Sequence, residues 1–303
     1  MVKANTIEQL RNSVDELATI MYDIFVDWKV YQKYPLTDNE LMAENMYRMM
    51  IFKAKSICLM SNGIVITPKQ KGIIPDPSTM YPVLRSMYEA IFLFRCIFIS
   101  SKNDTERELL FNLWKIRGNN NLIQIPDEDL DKETRSIKKS KKTENKTLRK
   151  EIRELMKRLS LSPTIIDDIE NCMNNSSPTL KGFTFEHCEH CNCITAFHDL
   201  NFSDRKMSSV LSDISYIYTH YSAHSHPSYI GVKHFEEMYY SNGEDNFMRE
   251  ILEGTLIYIC RFMNDFCNYK ETYRTFYDQR RSDIDAVLIA FSEGSHNSKQ
   301  RYL

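Results

Sequence analysis

The chain has 303 residues, 42% of them hydrophobic and 12% aromatic, with a formal charge of −2. That is enough apolar material for one large domain or two small ones, and the near-neutral balance excludes a global field that would draw the protein onto nucleic acid or anionic lipid. Only 8 glycines and 9 prolines interrupt the chain, so an all-α fold is expected.

The opening segment, MVKANTIEQLRNSVDEL, is polar and acidic, unlike a signal or transit peptide. The longest apolar run, residues 81–99, is broken by charges and too short to span a bilayer. Most of the eight cysteines stand singly among apolar residues, as Cys58, Cys96, Cys260 and Cys267 do. That is the pattern of reduced core thiols. A cytoplasmic protein with no membrane partner is expected.

Ile7, Leu10, Val14, Leu17, Met21, Ile24 and Trp28 recur at steps of three and four, which predicts an amphipathic helix ended by Pro35. Thr37 and Glu40 have capping-box spacing and open a second helix that runs to Asn62-Gly63. Next comes YPVLRSMYEAIFLFRCIFI, residues 81–99, apolar almost all the way round, with Pro82 near its first turn. A helix of that kind is normally buried, yet it carries Arg85, Glu89 and Arg95. Arg85 and Glu89 are four apart and share a face. A fourth helix over 104–117 is closed by Gly118. Together these four make an antiparallel bundle.

Residues 126–160 turn acidic and then strongly basic, while Leu148, Ile152, Leu155 and Leu159 keep helical spacing. A solvated helix face accounts for such a run more often than a nucleic-acid contact does. Ser162-Pro163 starts a short helix to Met173, and KGFTF supports a β-bridge at most. Ser203 caps a helix through Met207, Val210, Leu211, Ile214 and Tyr218, which ends at HYSAHSHPS. A long helix over 244–270 turns Phe247, Ile251, Leu256, Cys260, Met263 and Phe266 inward, and a short one carries AVLIAF. The expectation is therefore an all-α bundle of about eight to ten helices with a Cys/His-containing insert. Its parts are an N-terminal half over 1–125, an excursion over 126–202, C-terminal helices over 203–291 completing the same core, and a mobile tail over 292–303.

Three constellations carry chemistry. Arg85 with Glu89 is either a structural ion pair or a planar donor on the floor of a cleft, and the guanidinium fork suits phosphate. His220, His224 and His226 lie within seven residues, with Tyr218, Tyr221, Ser222 and Ser228 among them. A histidine there suits general acid/base work, and the bland reading is imidazoles capping a helix C-terminus. Because His220 and His224 are four apart, a metal-dependent hydrolase is a further, weaker reading. The third is HCEHCNC. Cys188-x-x-Cys191 is half of a zinc knuckle, and Cys193 with His190 completes a four-ligand structural set, with Cys172 and His198 as alternatives.

Arg85, Ser86 and Glu89, followed much later by Tyr218, Tyr221, Ser222, His226, Pro227 and Ser228, form an Arg-Ser-x-x-Glu helix and a late Ser-x-x-x-His-Pro-Ser. This pattern, over roughly residues 40–100 and 205–230, resembles a widespread bacterial family of uncharacterised helical proteins. That family in turn is similar to the HEPN superfamily of all-α ribonucleases found in toxin–antitoxin and phage-defence modules. The resemblance implies a metal-independent endoribonuclease that needs no cofactor, forms a homodimer, binds RNA and has a protein partner in a defence system. HEPN enzymes place an Arg four to six residues before the His of one helix. Here no Arg stands in that position before His220, His224 or His226, so the arginine must come from another helix, and Arg85 is the candidate. In that reading His226 or His224 is the base, Arg85 stabilises charge on phosphorus, Glu89 orients Arg85, and Ser222 or Tyr221 binds phosphate. The alternative is a non-enzymatic helical module for an anionic ligand, nucleic acid or a protein. Either way, the 81–99 helix is expected to pack on the 205–226 helix so that Arg85, Glu89, Ser222 and His226 meet.

Overall fold

The computed structural model describes residues 6–65, 67, 74–175, 182–201, 215–226, 228–240 and 243–295. Eleven α-helices and one two-stranded sheet lie among them. The fold is all-α, with about one helix more than the sequence reading expects. Ser203, Met207, Val210, Leu211, Ile214 and Pro227, like residues 296–303, lie outside the described residues. No described helix is long and apolar enough to cross a membrane.

The chain divides into two compact units, Met1–Ile91 with Tyr216–Leu303, and Phe92–Ser215. The sequence reading instead groups residues 92–125 with the first helices. The difference arises because Leu109, Leu110, Leu113 and Ile116 bury themselves with the residues that follow.

In the first unit, α1 (Ile7–Tyr31) starts at a Thr6 capping box and α2 (Asp38–Met60) at the Thr37–Glu40 box. Gly63, at φ 83°, takes the left-handed conformation just past α2. α3 (Pro77–Phe94) begins a turn earlier than residue 81. Asp76 sets that start: its carboxylate accepts from Ser78 (2.5 Å), the Thr79 amide (3.3 Å) and Tyr239 (2.8 Å), and Pro77 fits the first position. Pro82 therefore lies inside α3. The remaining helices of this unit are α7 (Ser215–Ser225), α8 (Tyr229–Tyr240), α9 (Glu244–Tyr269), α10 (Glu271–Gln279) and α11 (Arg281–Ser295). Residues 292–295, expected in the tail, continue α11.

Helices α1, α2, α9 and α10 share an aromatic core of Phe25, Trp28, Tyr47, Phe262, Phe266 and Tyr273. Edge-on ring pairs of this kind add about 0.5–1.5 kcal/mol each beyond burial. The phenol of Tyr47 meets that of Tyr273 and donates to the Met21 carbonyl at 2.9 Å, and the Trp28 indole donates to Thr272 at 3.1 Å. No polar atom of these rings is stranded. Gly254 lets α9 approach closely: a Cβ there would lie 2.9 Å from the Tyr221 hydroxyl and 3.4 Å from Leu84.

The second unit holds a π-helical segment (Arg95–Ile99), α4 (Asp104–Ile123), α5 (Lys132–Arg158), α6 (Pro163–Asn174), and the strands β1 (Gly182–His187) and β2 (Ile194–Leu200). Gly118 does not close α4, which continues to Ile123 because Asn119 and Asn120 find partners in Asn145 on α5. The basic helix α5 buries Leu148, Ile152, Leu155 and Met156. Part of its charge is matched: Arg153 forks onto Glu170 (2.6 and 3.0 Å), and Lys138 reaches Asp127 (2.5 Å). That agrees with a solvated face. The strand pair corrects the expectation of a mere bridge. Phe185 stands opposite Phe197 in an antiparallel hairpin, and both pack on the α4–α6 core. A Cβ on Gly182 would lie 2.6 Å from the Phe92 ring, which fixes how closely β1 approaches.

Two stability outcomes follow. Gly254→Ala gains helix propensity but drives a methyl into the Tyr221 oxygen, so it should destabilise by about 1–3 kcal/mol. Adding Tyr221→Phe should recover part of that loss in urea melts. Burial alone would raise the Asp76 pKa, but its hydrogen bonds outweigh this and hold it below the ordinary 3.8. A depressed carboxylate stabilises above its unfolded pKa and loses that contribution as pH falls through the folded value. The stability gap between wild type and Asp76→Asn should thus be full at neutral pH and close below 3.8.

Candidate functional site

α3 and α7 are joined by one guanidinium. Arg85 Nε donates to Glu89 Oε1 at 2.9 Å, Nη1 lies 2.8 Å from His226 Nε2, and Nη2 donates to the Tyr218 hydroxyl at 2.9 Å. The guanidinium carbon also sits 5.1 Å from the Tyr218 ring centre, a cation–π contact. Tyr218 is further hydrogen-bonded to Glu89. Burial, the largest influence, pushes the Tyr218 phenol up, while Arg85 pulls it down.

An arginine has only donors. His226 Nε2 must therefore accept, and the ring carries its proton on Nδ1. The Nε2 lone pair is thus held by Arg85. Arg85 and Glu89 keep 22% and 21% side-chain exposure, and His226 is exposed, so the cluster faces solvent. Three of the five guanidinium N–H groups are taken. One remains on each terminal nitrogen, as a two-oxygen anion requires. Lys53 on α2 donates to Ser86 at 2.5 Å beside this face. Its pKa is lowered, first by burial, with Glu89 acting the other way.

The structure thus brings together Arg85, Glu89 and His226 as expected, and adds Tyr218. Ser222 lies on the same stripe of α7, one turn from each of Tyr218 and His226, and makes no hydrogen bond to the cluster. Tyr221 is displaced from the expected role. It is 2% exposed, and its hydroxyl abuts Gly254 in the core. Burial raises its pKa well above the usual phenol value. Ser228, the last residue of the late motif, accepts from the Gly231 amide at 3.0 Å and caps α8.

His224 belongs to a different cluster. Its Nε2 lies 3.0 Å from His234 Nδ1 on α8, and its ring stacks on Tyr81 at 4.4 Å. His220 Nε2 lies 3.0 Å from Glu250 Oε1 on α9, yet this buried nitrogen makes no hydrogen bond. Burial first, then the charges of His220 and His234, lower the His224 pKa to about 4. Sequence reading passed over His234 and Glu250. The available signal was a third histidine ten residues past His224, behind the Ser228 cap.

HCEHCNC forms the turn of the β-hairpin. The Cys188 amide donates to the Cys193 carbonyl and the Asn192 amide to that of Cys188, both at 2.9 Å, and Asn192 has φ 59°. Cys191, Cys193 and His190 are exposed, and Cys188 is half-buried. His187 and His198 face carboxylates instead, Glu106 at 3.2 Å and Glu186 at 2.9 Å. Among the described residues, no group of three or more His, Cys, Asp or Glu side chains is placed to hold a metal ion.

Compared with known proteins, the chain matches no family model, no curated protein and no solved structure. The hydrogen-bond pattern makes a direct prediction. Nitrogen NMR of the histidine rings should place the His226 proton on Nδ1, and Arg85→Met should abolish that preference.

Proposed function

We propose that the Arg85–Glu89–Tyr218–His226 cluster is the phosphodiester site of a metal-independent ribonuclease, working in a bacterial defence or toxin module. The observation that carries this reading is the 2.8 Å contact between Arg85 and the exposed His226, just past the end of α7. An incoming phosphate competes for the guanidinium. As Arg85 turns its N–H groups to the phosphate oxygens, it releases the His226 Nε2 lone pair. That nitrogen takes the 2′-hydroxyl proton. The 2′-oxygen attacks phosphorus, the bond to the 5′-oxygen breaks, and the leaving oxygen takes a proton from water. The products are a 2′,3′-cyclic phosphate and a 5′-hydroxyl end. Arg85 stabilises the charge that grows on the phosphoryl oxygens, while Glu89 and Tyr218 hold its plane. Substrate binding thereby frees the base only where a phosphate is present.

A second reading is a non-enzymatic module that holds an anion at the same place. It is favoured by one observation: the cluster leaves one guanidinium N–H on each terminal nitrogen, enough to hold an anion without any chemistry at His226.

The discriminating experiment incubates the protein with total RNA in EDTA. Wild type should yield cyclic-phosphate ends, and His226→Ala should slow this by about 10²–10⁴-fold. Arg85→Ala should be at least as slow. Intact RNA with the wild type across pH and added metals would remove the nuclease. Anion binding lost in Arg85→Ala would then establish the module.

A further inference from the structure

We propose that Arg48, Met49, Phe52 and Lys53 on α2 form a stacking subsite for one base of single-stranded RNA beside the Arg85 centre; this rests on the reading of that centre as a phosphodiester site. The inner face of α2 is ordinary core, with Tyr47, Met50, Ile51 and Ala54 buried. Its outer face is not an ordinary polar one. Phe52 is 67% exposed and Met49 37%. They are three apart and so share a face. Arg48 lies four residues before Phe52, and Lys53 four after Met49, so each apolar side chain has a cation one turn away. With Asn45 and Ser56, these four line a shallow hollow of about 390 Å³.

One edge of the hollow runs into the centre. Lys53 donates to Ser86 at 2.5 Å, and Ser86 follows Arg85 directly in the chain. An ammonium has three donors, so Lys53 can hold Ser86 and a phosphate oxygen together. Glu89 attracts Lys53 as well as Arg85, which sets the two cations around one carboxylate. Arg48, at the other edge, is exposed, and its guanidinium touches Asn45. Three cations against one carboxylate leave this face positive.

A single exposed phenylalanine needs no explanation. An exposed ring and thioether, each one turn from a cation and next to a guanidinium with N–H groups to spare, match what a single strand requires. The ring offers an apolar plane to a base, and the cations meet the phosphates that flank it. A base within a duplex is already stacked on its neighbours, so the subsite selects unpaired strands. Stacking accepts every base, so no base preference is expected from it. A second copy of this chain is a poorer occupant, because a two-fold contact would set the same cations against themselves.

The probe is a short fluorescein-labelled single strand of 2′-O-methyl RNA, whose blocked 2′-oxygens prevent cleavage, with binding followed by anisotropy. Phe52 is exposed, so Phe52→Ala leaves the fold intact. That variant should bind about 5–150-fold more weakly with its salt dependence unchanged, and Phe52→Trp should bind as wild type does. Lys53→Met and Arg48→Met should each flatten the slope of log affinity against log salt by about 0.7, the loss of one phosphate contact. Cleavage of ordinary RNA, assayed in parallel, tests the centre by itself. Wild-type cleavage with undiminished binding by Phe52→Ala would remove the subsite and leave the centre. Phe52-dependent binding without cleavage would keep the subsite and remove the nuclease. Equal affinity for a duplex, no binding by the wild type, or a Phe52→Ala change in oligomeric state with binding untouched (a contact between copies) would each overturn the subsite.

Discussion

A guanidinium on an otherwise apolar helix is the constraint from which the rest of the candidate site follows. Arg85 cannot shed its charge, and a charge withdrawn from water needs partners. It finds three, in three directions: Glu89 on its own helix, Tyr218 on α7, and His226 just past the end of α7. A lysine at this position would offer its donors from one point and could not serve all three. At 22% side-chain exposure these contacts are screened, so their contribution to stability is modest. Their consequence is geometric. They fix which stripe of α7 faces α3 and hold an imidazole nitrogen as an acceptor.

α7 itself sorts polar groups by helical phase. Tyr218, Ser222 and His226 fall on one stripe, His220 and His224 on another, and Tyr221 drives into the core against Gly254. The buried phenol anchors the helix, and the two polar stripes diverge from it. One faces the permanent cation of Arg85 on α3, and the other carries His224, whose charging is opposed first by burial and then by its imidazole neighbours. α7 and the residue that follows it thus present two chemically distinct surfaces.

Much of this was legible in the chain. The three-four spacing of Leu10 to Trp28 and the Thr37–Glu40 box located α1 and α2, because both signals are local. The Arg85–Glu89 pair stood out because charge is rare on an all-round apolar helix. Other features were hidden because they depend on partners distant in sequence. Strand β1 has too few alternating residues to be read alone; it exists because β2 and the α4–α6 core receive Phe183 and Phe185. Gly118 is an ordinary breaker by propensity, but paired asparagines on α4 and α5 override it. Tyr221 and Tyr218 are both tyrosines beside a histidine-rich end. Only the packing of α9 decides which one is buried. Helix α8 was missed because its cap, Ser228, reads equally well as the end of the preceding motif.

The division of the chain into units has a consequence for how the protein is made. The second unit is one continuous stretch, whereas the first is drawn from both ends of the chain. Trp28 and Tyr47 wait for Phe266, Tyr273 and Thr272 before their core closes. During synthesis the middle stretch can therefore complete its contacts while the amino-terminal helices still lack theirs. Arg85 likewise emerges from the ribosome long before Tyr218 and His226. The candidate centre is assembled only once residue 226 has been made, so a chain truncated before it would lack it.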